Sequence, residues 1–241
     1  MESAYLPLVK MGISALELAR IDFCEENALK VKKLSEKYGI NPVSIQVKPK
    51  YVFNDADKII SFCHITGCKN AVISMLPFEC ILGAEDKFYS FVDSLDKQAE
   101  RYSEAGITLA YHHHNWEYVT LSSGKSRFEE LLLRTERIKI VNDTYWTARC
   151  GVDPARQIRE LKDRLLGIHL RDLAFRAKML DVKPYDTAIG RGVIDFKSVL
   201  DAAEEVGCEY AVIEQKTANP YDDVKFSYEN LQKILRYKEQ L

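Results

Sequence analysis

Two hydrophobic periods alternate along the chain. Short apolar runs rich in β-branched and aromatic side chains are separated by longer stretches in which apolar residues recur every three or four positions. The first kind predicts strands at 14–20, 43–47, 71–76, 107–112, 138–143, 165–170 and 210–214. The second predicts helices at 25–38, 56–66, 85–105, 126–135, 195–206 and 222–237, with one more starting at Asp153. Residues 4–11 read as the tail of a helix. The punctuation agrees with this division. Gly39, Gly67, Gly106 and Gly207 follow helical patterns, as C-terminal caps do. Asp153 then Pro154 is an N-cap acid followed by proline at the first helical position.

Regular strand–helix alternation means a parallel sheet, because parallel strands need crossover helices. Over 241 residues the pattern predicts an α/β fold, a TIM-type (β/α) barrel, which ordinarily has eight strands in about 250 residues. Seven strands are read, and the missing one is the first. An open doubly wound sheet is the runner-up, and no glycine-rich phosphate fingerprint follows an early strand to favour it. No Ser/Gly/Pro-rich linker divides the chain, so residues 1–241 read as a single domain.

Composition narrows the partners. A hydrophobic content of 46% suits a sizeable core, and a net charge of -2 makes no electrostatic case for nucleic acid or an anionic membrane. No apolar run approaches the roughly 20 residues of a membrane helix, and the first residues lack the basic-then-hydrophobic order of a signal peptide. The six cysteines contain no C-x-x-C pair, which fits reduced thiols in a cytoplasmic protein. Cys63 and Cys68, in CHITGC, read as core packing.

The chemistry collects where apolar runs end. Ile107 to Tyr111 runs into His112, His113 and His114, three of only five histidines in the chain, with Trp116 and Glu117 just beyond. Side chains alternate along a strand, so His112 and His114 share one face and His113 takes the other. Glu17, Asp143, His169 and Glu214 also stand at strand ends, and in a parallel barrel these ends meet at one face. A carboxylate at the mouth of a buried strand is costly unless it is paired or binds a cation. Taken singly, a histidine such as His169 inside an apolar strand is more often a hydrogen-bonded core residue. Taken together, imidazoles and carboxylates form a mixed N/O set suited to Mn, Zn, Fe or Co. In GRGVIDF, Gly190 and Gly192 predict a turn, Asp195 a helix cap, and Arg191 a contact with a phosphate or sugar hydroxyl. Trp116 and Trp146 are either core or a wall on which a sugar ring stacks.

The segments YHHHNWEY, NDTYW, GIHLRD, GRGVIDF and YAVIEQ occur in an order that resembles the xylose-isomerase-like superfamily of TIM barrels, in its sugar phosphate isomerase/epimerase branch. The resemblance covers about residues 12–235. It implies one divalent metal ion (Mn, Zn, Co, Fe or Mg) held by His112, Asp143, His169 and Glu214. It places Trp146, His114 and Glu117 toward substrate and gives Arg171 and Asp172 substrate or supporting roles. The implied reaction is proton transfer next to the carbonyl of a sugar or sugar phosphate, with Glu214 as base and His114 or Glu117 as partner acid. Glu17, Trp116 and Arg191 are the remaining candidates for substrate contact.

Two departures from the branch alter the expectation. Many relatives carry Glu where this chain has His112, and ketose 3-epimerases use two metal-bound glutamates, of which only Glu214 remains. The triple histidine is similar to that of inosose dehydratases, so dehydration of a keto-inositol is the alternative, with a sugar-binding relative that lacks turnover as another. Endonucleases acting on damaged DNA share the superfamily but use more metal ligands; Trp146 stands where they place a further His. The second departure is the absent first strand, which leaves the strands at 14–20 and 210–214 as edges and predicts a homo-oligomer.

Overall fold

The structure, a computed structural model, describes residues 2–238. Helix α1 (Glu2–Met11) leads into β1 (Ala15–Leu18), α2 (Glu25–Tyr38), β2 (Asn41–Val47), α3 (Pro49–Asn54), α4 (Ala56–Thr66) and β3 (Asn70–Ile73). Then come α5 (Phe78–Leu82), α6 (Glu85–Glu104), β4 (Thr108–His112), α7 (Arg127–Arg134), β5 (Lys139–Asp143), α8 (Thr144–Arg149), α9 (Pro154–Leu161) and β6 (Leu165–Leu170). The chain ends with β7 (Asp172–Lys178), β8 (Asp181–Thr187), α10 (Phe196–Glu205), β9 (Tyr210–Ile213) and α11 (Pro220–Lys238). The seven predicted strands correspond to β1–β6 and β9, which follow one another in that order in a seven-stranded sheet. Missing from the sequence reading are the short helices α3, α5 and α8 and the antiparallel hairpin β7–β8.

The chain divides into two compact units, residues 1–141 and 142–241. In the first, β1 to β4 pair in parallel, each with the next. Helix α6 shows why the helical spacing was legible: Phe88, Phe91, Val92, Leu95, Ala99 and Tyr102 are its buried residues, one stripe at three- and four-residue intervals. Burying each large side chain of that stripe is worth about 1.5–3 kcal/mol before entropy is counted. The helix closes at Gly106, whose φ of 74° is left-handed, and Ile107 N–H reaches back to the Tyr102 carbonyl at 2.9 Å. That closure turns the chain into β4, whose last four residues are buried.

In the second unit, β6 is buried along its whole length and pairs in parallel with β9, His169 opposite Val212. Asp172, just beyond β6, anchors the 190–194 turn. Its Oδ2 accepts from the N–H groups of Gly190 (2.9 Å) and Gly192 (2.8 Å), and its Oδ1 from those of Leu173 (2.8 Å) and Ile194 (3.2 Å). Gly192 is required by space: a Cβ there would lie 2.2 Å from Asp172 Oδ1 and 2.4 Å from the Leu173 carbonyl oxygen. Four backbone donors account for this buried carboxylate, so Asp172 supports a loop. The predicted caps hold as well. Asp153 accepts from Arg156 N–H at the start of α9, and Asp195 from Lys197 and Ser198 N–H at the start of α10.

Candidate metal centre

Within the second unit, the ends of β5, β6 and β9 supply Asp143, His169 and Glu214. Each offers a ligand atom within 4.8 Å of the others. Asp143 and His169 are buried, while the Glu214 side chain keeps 40% of its exposure. His169 Nδ1 stands 2.7 Å from Glu214 Oε2. Asp143 is the N-cap of α8: its Oδ1 accepts from Trp146 N–H at 3.0 Å, and its Oδ2 from Arg171 Nη1 at 3.1 Å.

Arg171 is the hub of this cluster. Beyond Asp143, its Nη1 lies 3.8 Å from Glu214 Oε2, and its Nε and Nη2 donate to Asp186 Oδ2 at 3.1 and 2.6 Å. Its guanidinium lies 5.0 Å from the Tyr145 ring centre and 5.5 Å from that of Trp146. Burial works against the Arg171 cation, but Asp143, Glu214 and Asp186 outweigh it and raise its pKa. Asp186 was not singled out in the sequence. Burial raises its carboxyl pKa against the pull of Arg171. Its Oδ2 also accepts from Lys216 N–H at 3.2 Å, while Oδ1 is buried with no hydrogen-bond partner among the described residues. A carboxylate within the polar run PYDT carries no sequence signal of burial, so only the fold reveals it. Trp146 is half-buried, edge-on to Tyr145 at 4.9 Å, with the Arg149 guanidinium 5.3 Å from its ring centre. Arg191, assigned a phosphate or hydroxyl from the sequence, donates to Asp223 Oδ1 at 2.9 Å and lies over the Phe226 ring. An acid partner thus occupies the guanidinium that the sequence offered to substrate.

Within the first unit, His112 ends β4 in register with Val141, two residues before Asp143 along β5. The alternation read from sequence is realised. His114 lies edge-on to His112 at 4.7 Å, whereas His113 packs between Tyr118 (5.5 Å) and Phe128 (5.2 Å) as a core aromatic. Glu117 is completely buried: one carboxylate oxygen accepts from Tyr111 Oη–H, the other from His114 N–H at 2.7 Å. Burial raises its pKa, with those two hydrogen bonds opposing. Glu117 therefore fixes the backbone that carries His114. Trp116 remains 42% exposed, and its carbonyl accepts from Arg127. Glu17 is bound to β2, accepting from Ser44 Oγ at 2.6 Å and Gln46 Nε2 at 2.7 Å.

Residues 7–237 match the xylose isomerase-like TIM barrel family. The chain belongs to that family. The predicted TIM-type fold with seven parallel strands stands accordingly. An inosose dehydratase of Lacticaseibacillus casei is 24% identical over 159 residues, 60% of this chain and 52% of its own. The chain thus spans about half the length of that curated relative. Among solved structures, a sugar phosphate isomerase/epimerase from Parabacteroides distasonis superposes with a TM-score of 0.79 at 19% identity, covering 96% of this chain and 87% of that one. The IOLI protein with a bound zinc atom superposes with a TM-score of 0.72 at 14% identity, covering 96% and 92%. Among the described residues, no helix is long and apolar enough to cross a membrane.

Proposed function

We propose that this chain is a divalent-metal-dependent enzyme that moves a proton next to the carbonyl of a sugar or sugar phosphate, as isomerase or epimerase, with His112, Asp143, His169 and Glu214 as metal ligands. The observation that carries the reading is the cluster in the second unit, where Asp143, His169 and Glu214 bring ligand atoms within 4.8 Å of one another; with His112 proposed as the fourth ligand, the donor set fits Mn, Zn, Co or Fe. The zinc in the IOLI relative agrees with it. When bound, the metal supplies Lewis-acid polarisation of the substrate carbonyl. Glu214, the most exposed of the four ligands, takes the proton from the neighbouring carbon. His114, held by Glu117, returns a proton. The Arg171 guanidinium donates to a substrate oxygen, and the Trp146 ring forms an apolar wall. Dehydration of a keto-inositol is the second reading, favoured by the inosose dehydratase relative; there the acid expels a hydroxyl from the adjoining carbon.

Solvent deuterium exchange tests the reading. Protein loaded with Mn or Co is expected to exchange one carbon-bound hydrogen of a ketose or keto-inositol. Asp143→Asn, which keeps an oxygen to cap α8, is expected to fold but to lose metal and exchange together. Exchange without loss of water marks an epimerase; loss of water marks the dehydratase. A metal-loaded protein inert on both substrate classes overturns the proposal.

A further inference from the structure

Three carboxylates surround the buried guanidinium of Arg171, more than one cation needs for neutrality. Two of them, Asp143 and Glu214, are ligands in the reading above, on which this inference rests. Arg171 Nη1 donates to Asp143 Oδ2 at 3.1 Å, so a cation entering the site must compete with Arg171 for that oxygen. The other edge of the planar guanidinium, Nε and Nη2, rests on Asp186. Asp186 comes from a different element than the ligands. It sits in β8, opposite Leu173 in the antiparallel hairpin, and takes a further hydrogen bond from Lys216 N–H. Its Oδ1 is buried without a hydrogen-bond partner among the described residues, a desolvation cost that the hairpin itself does not require.

We infer that Asp186 is a positioning residue: it keeps one edge of Arg171 anchored while Asp143 turns to the metal, so that Nη1 is released to a substrate oxygen and Arg171 stays in the site. Asp186 lies on a hairpin outside the seven-stranded sheet, yet it governs how freely Asp143 is given up to the cation. If Asp186 is neutral, Arg171 has only Asp143 and Glu214 to bind, and holds them against the metal.

A double-mutant cycle read by Mn²⁺ titration calorimetry on the metal-free protein tests this, without reference to turnover. Asp186→Asn is expected to weaken Mn²⁺ affinity roughly tenfold or more, the worth of a hydrogen bond to a charged group. In an Arg171→Gln background the same substitution is expected to change affinity by less than about twofold. Equal losses in both backgrounds would mean that Asp186 acts on the cation directly through its charge, and would overturn the inference, as would wild-type affinity in Asp186→Asn. Should Asp186→Asn not fold, Asp186→Glu serves, since it keeps the charge but displaces the carboxylate from the Nε and Nη2 edge of Arg171: weakened Mn²⁺ binding supports the inference and unchanged binding overturns it. Wild-type protein that takes up no Mn²⁺ would sink the metal-site reading itself, whereas wild-type binding with an insensitive Asp186 sinks only this inference.

Discussion

Burial, more than sequence position, decides what each polar residue does here. Glu117 and Glu214 both stand beyond apolar runs, Glu214 directly and Glu117 after the three histidines, but Glu117 is buried with both oxygens occupied, while Glu214 keeps 40% side-chain exposure. The resemblance gives Glu214 as base and Glu117 or His114 as partner acid, but the burial of Glu117 was not legible, because the 3₁₀ turn that folds it inward, Trp116–Tyr118, leaves no periodic signature in NWEY. His112 and His114 were legible because strand alternation is geometric, and His113 fell to the opposite face for the same reason. Burial also gives Glu117 a pH signature. Its folded pKa lies above its ordinary value, so the folded chain binds that proton more tightly than the unfolded chain does. The resulting stability is full below the unfolded carboxyl value and is lost as pH rises through the folded one. Glu117→Gln carries no such charge. Although it forfeits an acceptor and starts less stable, its deficit relative to the wild type is expected to shrink as pH rises from about 4 toward 7. Urea unfolding midpoints across that range check this, and parallel curves would count against a burial-dominated Glu117.

At the level of elements, the inner parallel strands were the most legible, because a strand buried on both faces reads as a nearly continuous apolar run, as in β3 and β6. The β7–β8 hairpin was not legible. Its run mixes charged with apolar residues, and Phe175, Val182, Met179 and Leu180 are exposed, so no face pattern survives. Pro184 sits inside β8, where a strand reading is normally refused. Its turn lacks the glycine or asparagine that marks tight hairpins, although Met179 has a φ of 57°. That conformation is unfavourable for methionine and well tolerated by asparagine. Met179→Asn is therefore expected to raise stability by up to about 1 kcal/mol, seen as a higher Tm, with no change in metal affinity. A lower Tm would mean that the exposed methionine has a packing role of its own.

At the level of the whole molecule, the seven-stranded order leaves β1 and β9 as its two terminal strands. The sequence YAVI is an apolar run, read as an edge strand, and β9 differs from its neighbour β6: Ala211 is exposed, and Tyr210, Val212 and Ile213 are only partly covered. An apolar strand at the end of a sheet, with a half-covered face, is a template for pairing with another chain. We propose that a second copy of this chain provides the cover. Sedimentation at micromolar concentration is then expected to give a dimer or larger species. Ala211→Lys tests whether β9 is the contact. The position is exposed, so a lysine fits the monomer without displacing core, and a charge on an edge strand opposes pairing. The substitution should shift the equilibrium toward monomer while leaving the unfolding transition of the dissociated chain nearly unchanged. Association that persists in Ala211→Lys would move the contact away from β9, and a wild type that sediments as a clean monomer would remove the homo-oligomer altogether.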